Sequence, residues 1–162
     1  MRSGNRCRKI STQTLSSTCS LQTLLRSMVD RLTPEGRSRL MSRIKSKNTL
    51  PELTVRRTLH QLGYRYRLHA KGLPGSPDLV FSGMGKIIFV HGCFWHGHSC
   101  KQGRAASKSN VQFWTEKITR NKARDVRVSA RLRSRGWHVL TIWECQIKKD
   151  VWLNRALRFL AR

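Results

Sequence analysis

The densest chemistry in this sequence lies between residues 91 and 100. His91-Gly92-Cys93-Phe94-Trp95-His96-Gly97-His98-Ser99-Cys100 puts five metal-binding side chains into ten positions. A further thiol, Cys145, follows the apolar segment Val139–Trp143 and can reach the same point from across a sheet. Thiolate and imidazole together suit tetrahedral zinc. Three Cys and one His make a closed, structural site, and spacing does not choose which His completes it. The remaining histidines are then free for acid–base work at the end of a strand.

Carboxylates are the second chemical feature, because they are so few. They are Asp30, Glu35, Glu52, Asp78, Glu116, Asp125, Glu144 and Asp150, 8 acids against 33 Lys and Arg, for a formal net charge of +25. That charge selects a polyanionic partner and argues against an acidic cargo or a purely metabolic role. Nucleic acid is favoured over anionic membrane, since no long basic helix carries a continuous apolar stripe. A carboxylate kept beside phosphate needs a cation. Metal-dependent nucleases use one to hold Mg2+ against the scissile phosphate, with a base to prepare a water. Asp78, His91 or His96, and Glu52 meet that requirement. Each has a plainer reading too: Pro-Asp is a common turn, and Glu52 has capping-box spacing from Thr49.

Aromatic residues supply a third element. Phe94 and Trp95 lie inside the metal loop, where a tight turn leaves little room to bury two rings. Displayed there, they could wedge between base pairs. Trp114 opens a basic helical region, where core packing is an equal reading. Trp137 and Trp143 flank or lie in a strand and read as core.

The elements that must position these groups are legible in outline. At 162 residues with 38% hydrophobic content the chain is long enough for one sizeable core. Its longest plain apolar run, Ile87 to Val90, is far short of a membrane span. Thr33-Pro34-Glu35 reads as a helix start, with Leu40, Met41 and Ile44 on a short apolar face. Thr49-Leu50-Pro51-Glu52 starts a second helix, with Val55, Leu59 and Leu62 at helical spacing and Gly63 as the stop. Tyr64–Leu68 alternates like a strand. Residues 78–81 and 86–90 read as a hairpin joined by Gly83-Met84-Gly85. Residues 101–110 are loop-like, and about 111–135 is a very basic helix ending at Gly136. Val139–Trp143 is a strand, and Asp150 can cap a last helix bearing Leu153, Ala156, Leu157 and Leu160. The order α-α-β-β-β-α-β-α implies a mixed sheet flanked by helices.

Residues 1–27 stand apart, with five basic residues (Arg2, Arg6, Arg8, Lys9 and Arg26), no acid and a Ser/Thr-rich centre. The composition fits a transit peptide, a disordered basic leader or a spurious extension upstream of Met28. Organised sequence begins at Met28, which favours the last and a single domain over 28–162. That domain keeps 28 basic residues against 8 acids, or +20, so the polyanion inference does not depend on the leader. The five Cys (7, 19, 93, 100 and 145) are odd in number, and Cys93 and Cys100 suit a metal better than a disulfide. A reducing, intracellular setting follows.

Together these residues resemble the very-short-patch-repair (Vsr) DNA mismatch endonucleases. The match runs through Arg37-Ser38 with Met41 and Ile44, Thr49 with Pro51-Glu52, and Leu73-Pro74-Gly75-Ser76-Pro77-Asp78. It continues through His91-Gly92-Cys93-Phe94-Trp95-His96, His98, Cys100, Phe113-Trp114, Lys117-Ile118, Asn121 and Arg124-Asp125, and closes on Gly136-Trp137 and Trp143-Glu144-Cys145. It covers roughly residues 28–150, and the His-Gly-Cys-Phe-Trp-His run is its most specific part.

The resemblance implies an α/β, restriction-endonuclease-like fold with a mixed central sheet flanked by helices and a structural zinc site. It implies an endonuclease that nicks DNA beside the T of a T·G mismatch left by 5-methylcytosine deamination, starting very short patch repair. Residue by residue, Asp78 would ligate Mg2+ together with the backbone carbonyl of Val90. Glu52 and His91 would hold metal-bound waters. His96 would be the general base, oriented by Asp125. Cys93, His98, Cys100 and Cys145 would bind zinc, and Phe94, Trp95 and Trp114 would intercalate beside the mismatch. Related nucleases usually carry an acid and a Lys on the second hairpin strand. Phe89-Val90-His91 stands there in this chain, so histidine chemistry replaces them.

The implied partner is double-stranded DNA with a T·G mismatch, met by a monomer in the bacterial cytoplasm, at the nucleoid and not at a membrane. Coupling to MutL-type repair factors is implied as well. Basic residues from Arg120 to Arg135 read either as phosphate contacts or as a solvated face. Two other readings compete: a sequence-specific restriction-type nuclease without mismatch preference, and a non-catalytic zinc module that binds nucleic acid.

Overall fold

Three apolar segments pair into one sheet. A computed structural model describes residues 33–43, 47–68, 70–105 and 110–161. The leader, the start at Met28 and the apolar position Ile44 lie outside the described residues. Helices α1 (Pro34–Ser42) and α2 (Leu50–Gln61) precede strand β1 (Leu79–Phe81). A single 3-10 turn (Ser82–Met84) leads into β2 (Lys86–His91), followed by α3 (Val111–Arg133) and β3 (His138–Trp143). The short α4 (Glu144–Lys148) and α5 (Leu153–Ala161) end the chain.

The sheet order is β1-β2-β3. β1 and β2 are antiparallel, with Leu79 opposite Ile88 and Phe81 opposite Lys86. β2 and β3 are parallel, with Lys86 opposite His138 and His91 opposite Trp143. A parallel pair needs a long crossover, which α3 supplies. β2 is central and covered on both faces, which explains its unbroken Ile87-Ile88-Phe89-Val90 run. On one face Leu79, Phe81, Ile88, Val90, Leu140 and Ile142 pack against Val55 and Leu59 of α2 and Ala156 and Leu160 of α5. On the other, Val80, Ile87 and Phe89 pack against Leu132 and Val128 of α3 and Trp137. Helix, sheet and helix therefore form three layers.

Several helix and strand expectations hold, and three are corrected. The Thr33 hydroxyl accepts from the Gly36 N–H at 3.1 Å, capping α1. The hairpin forms, with Gly85 at φ +62° closing its turn. Tyr64–Leu68 is not a strand: a single bridge joins Arg67 to Val80. β1 is too short to pair more, and the Tyr64 and Tyr66 rings pack edge-on against Phe81 at 6.4 and 5.8 Å instead. Asp150 does not cap the last helix. It adopts φ +53° and its N–H goes to the Ile147 carbonyl at 3.0 Å, closing α4. α5 begins beyond it because Trp152 between the two is buried in the core. Thr49 makes no side-chain cap to its helix. Its hydroxyl donates to Glu52 Oε1 at 2.9 Å, and the Asn48 N–H donates to Glu52 Oε2 at 2.9 Å. Among the described residues no helix is long and apolar enough to cross a membrane.

Candidate active site and metal centre

The C-terminal ends of the parallel strands β2 and β3 open onto a cavity of about 810 Å³. Such strand ends are where α/β sheets commonly place their ligands. α2 contributes Glu52, the turn before β1 contributes Asp78, β2 ends in His91, and the following loop brings Trp95 and His96. α3 lies across the cavity with Trp114, Lys117, Arg124 and Asp125.

Asp78 Oδ2 accepts from the Val90 N–H at 2.8 Å, which fixes the carboxylate against β2. Burial pushes its carboxyl up to about 6, against the Val90 hydrogen bond, and the nearby Glu52 carboxylate adds to the rise. A carboxyl so placed favours a cation beside it. Glu52 is itself buried, and Arg56 holds it from one turn along α2: Nη2 to Oε2 is 3.1 Å. Arg56 Nη1 also donates to Asn48 Oδ1 at 2.6 Å.

Opposite these acids stands an imidazole pair. His96 Nδ1 lies 2.5 Å from Asp125 Oδ2, and His91 Nδ1 lies 4.0 Å from the same oxygen. The two rings stack 3.8 Å apart and only 9° from parallel. Burial, then the neighbouring His96, pushes His91 down to about 4, so it is neutral at pH 7. With Nδ1–H donating to Asp125, His96 keeps the Nε2 lone pair free to accept a proton. His91, His96 and Asp125 also lie close enough together to hold a cation.

The loop after β2 turns its other side chains to a second cluster. Cys93, His98, Cys100 and Cys145 offer ligand atoms all within 4.8 Å of one another. The His98 Nδ1 to Cys145 Sγ distance is 3.5 Å. Zn–S of about 2.3 Å and Zn–N of about 2.0 Å at a tetrahedral angle give an S···N edge of about 3.5 Å, so the donor set fits. Without a cation, burial pushes the Cys93 thiol up to about 12, while the His98 hydrogen bond draws Cys100 down to about 6. Cys145 arrives at the start of α4, where its N–H donates to Cys93 Sγ at 3.3 Å. The imidazole that lies with the three thiols is thus His98, while His96 faces Asp125.

The aromatic residues differ from the expectation of display. Phe94 and Trp95 are half-buried, because α3 supplies the packing partner that the loop lacks. Phe94, Trp95 and Trp114 meet edge-to-face at 5.3 to 5.5 Å. Phe113 joins Trp114 at 5.4 Å and remains 50% exposed. Lys117 Nζ sits 5.5 to 5.7 Å from the rings of Trp95, Phe113 and Trp114. Asn121 Nδ2 donates to the Trp95 carbonyl at 2.9 Å, tying the loop to α3. Trp143 is not plain core: it stacks on His98 and meets His91 edge-on.

Arg56 and Trp143 are the site neighbours that sequence reasoning missed. Arg56 had a signal in its i,i+4 spacing from Glu52. Trp143 had only its place at a strand end.

Comparison with known proteins gives this geometry a lineage. The sequence model of the DNA mismatch endonuclease Vsr matches residues 29–102. The Type II nicking enzyme V.XorIIP of Xanthomonas oryzae pv. oryzae is 52% identical over 131 residues, covering 81% of this chain and 96% of the relative. The Type II nicking enzyme V.NmeAIP of Neisseria meningitidis is 43% identical over 135 residues, covering 83% and 96%. The DNA mismatch endonuclease Vsr of Escherichia coli is 38% identical over 112 residues, covering 69% and 71%. The matched stretch holds Glu52, Asp78, His91, His96 and three of the four Cys/His cluster residues, and the chain belongs to the Vsr family of DNA endonucleases.

Proposed function

We propose that this protein is a Mg2+-dependent endonuclease that nicks one strand of duplex DNA beside the T of a T·G mismatch, starting very short patch repair. The observation that carries the reading is the shared cavity, with half-buried Asp78 and buried Glu52 on one side and the His96–Asp125 pair on the other. Asp78 and the Val90 carbonyl would hold Mg2+, Glu52 and His91 its waters, and the bound ion would polarise the scissile phosphate. His96 Nε2 takes the proton of the attacking water as its oxygen bonds to phosphorus and the bridging oxygen leaves. Asp125 holds the His96 ring and stabilises the imidazolium that forms.

Cys93, His98, Cys100 and Cys145 hold structural zinc, a closed set with no position left for substrate. Phe94, Trp95 and Trp114 form the wedge that parts the mismatched pair from its neighbour. The core is restriction-endonuclease-like, with the β1–β2 hairpin carrying the metal-binding acid. The protein acts as a monomer in the cytoplasm and at the nucleoid, and couples to MutL-type repair factors.

The curated relatives named as Type II nicking enzymes favour a second reading, strand nicking without mismatch preference. One assay separates the two. Wild type with Mg2+ is expected to nick T·G duplex and spare the matched duplex, with Asp78→Ala and His96→Ala inactive. Equal cutting of both duplexes selects the second reading, and no nick on either removes both. Metal analysis of Cys145→Ala is expected to show loss of zinc.

A further inference from the structure

Trp143 takes no part in the proposed reaction, but it sits between the two clusters. It closes β3, opposite His91 at the end of β2. Its indole stacks on the His98 ring, 4.3 Å between centroids and 28° between planes. It meets the His91 ring edge-on at 5.5 Å and 75°. His91 lies flat on His96 at 3.8 Å, and His96 is bonded to Asp125. The run His98–Trp143–His91–His96–Asp125 is unbroken from the Cys/His cluster to the cavity.

The restraints along this run are unequal. Asp125 fixes His96 at Nδ1, but nothing in that bond fixes the tilt of the ring, which rests on the face of His91. Among the described residues His91 has no comparable anchor, since its Nδ1 is 4.0 Å from Asp125, beyond hydrogen-bond reach. Ring packing holds it instead: Phe89 lies at 5.7 Å, and Trp143 and His96 make the other contacts. Aromatic pairs prefer stacked or edge-to-face geometry, so the indole restricts how His91 can turn. The indole is restricted in turn by His98, whose Nδ1 faces Cys145 Sγ at 3.5 Å within the four-ligand cluster.

We propose that Trp143 is a positioning residue that couples the Cys/His metal site to the catalytic imidazoles: stacked on His98 and edged against His91, it fixes the ring on which His96 rests. The proposal rests on His96 being the general base. A group that orients a catalytic imidazole acts on the chemical step and leaves DNA binding alone, with effects of about 10- to 100-fold.

The test uses the full chain with its zinc, and compares wild type, Trp143→Leu and Trp143→Phe. Nicking rates on T·G duplex with Mg2+, zinc content and the 1H–15N spectrum of the imidazole nitrogens are measured. Trp143→Leu is expected to lower kcat about 10- to 100-fold with KM for DNA unchanged and zinc retained. Its His91 and His96 ring signals shift together, and Trp143→Phe recovers most of the rate. Full kcat with unmoved ring signals in Trp143→Leu overturns the coupling. If Trp143→Leu loses its zinc or its fold, His98→Cys takes its place, since it keeps four ligands but removes the stacked ring. The same loss of kcat and the same shifts are then expected, and their absence overturns the proposal. A His96→Ala variant as active as wild type would sink the general-base reading itself, whereas an inactive one beside a fully active Trp143→Leu sinks only the coupling.

Discussion

At the scale of single residues, the informative groups are charges that the fold holds out of water. Asp78 is raised from an ordinary 3.8 to about 6, chiefly by burial. Its sign runs opposite to that of a salt-bridged acid. Between those two values the folded protein keeps a proton that the unfolded chain has released, so stability falls as pH rises through the window. At pH 7 the ionised carboxylate opposes folding of the metal-free protein. Asp78→Asn is therefore expected to abolish nicking yet stabilise the metal-free protein by about 1–2 kcal/mol at pH 7, read from urea unfolding. Added Mg2+ should raise Tm in wild type and not in the variant; a destabilised Asp78→Asn would contradict the burial argument.

Arg56 makes the converse case. It neutralises buried Glu52, and removing it leaves that carboxylate without its cation. Arg56→Leu should cost about 3–5 kcal/mol, and Glu52→Gln in the same chain should restore much of it. A double variant no more stable than Arg56→Leu would show that the pair does not interact as drawn.

At the scale of elements, the cavity depends on how closely α3 approaches the turn that delivers Asp78. Gly75 sits in that turn at φ +76°, and a Cβ there would clash with Val128 Cγ1 on α3. Both the backbone conformation and the contact demand glycine. Gly75→Ala is expected to destabilise by about 1–3 kcal/mol and to lower kcat, because Asp125 lies one turn before Val128 on the same helix. Thermal unfolding and nicking rates measured together check this. Loss of stability with full activity would show that α3 moves without disturbing the imidazole pair. Both parallel strands also end at one place: β2 delivers His91, and β3 delivers Trp143 and then Cys145.

At the scale of the whole molecule, the formal charge is +25, yet the cavity at the strand ends gathers several of the few acids. Exposed Arg124 and Arg127 stand on α3, on the helix that borders the cavity. A protein that binds through such contacts releases condensed counterions, so affinity should fall steeply with salt. A plot of log K against log salt for duplex DNA is expected to have a slope of about −5 or steeper, and Arg127→Ala should reduce it by about 1. A shallow slope would mean that the basic face is only solvated.

The sequence alone determined what is local: the ligand types packed into residues 91–100, the Thr33 cap, the hairpin, the buried run of β2 and the run His91–His96 that marks the family. Spacing and side-chain chemistry act over one turn or one strand, so they can be read directly. Contacts made across the fold cannot. Tertiary structure decided that His98 meets the thiols while His96 meets Asp125, 29 residues away. It turned Tyr64–Leu68 from a strand into one bridge, because β1 offers too short an edge. It half-buried Phe94 and Trp95 by bringing α3 across them. It also put Trp143 between the two clusters, since only the parallel register of β2 and β3 sets that indole beside His91.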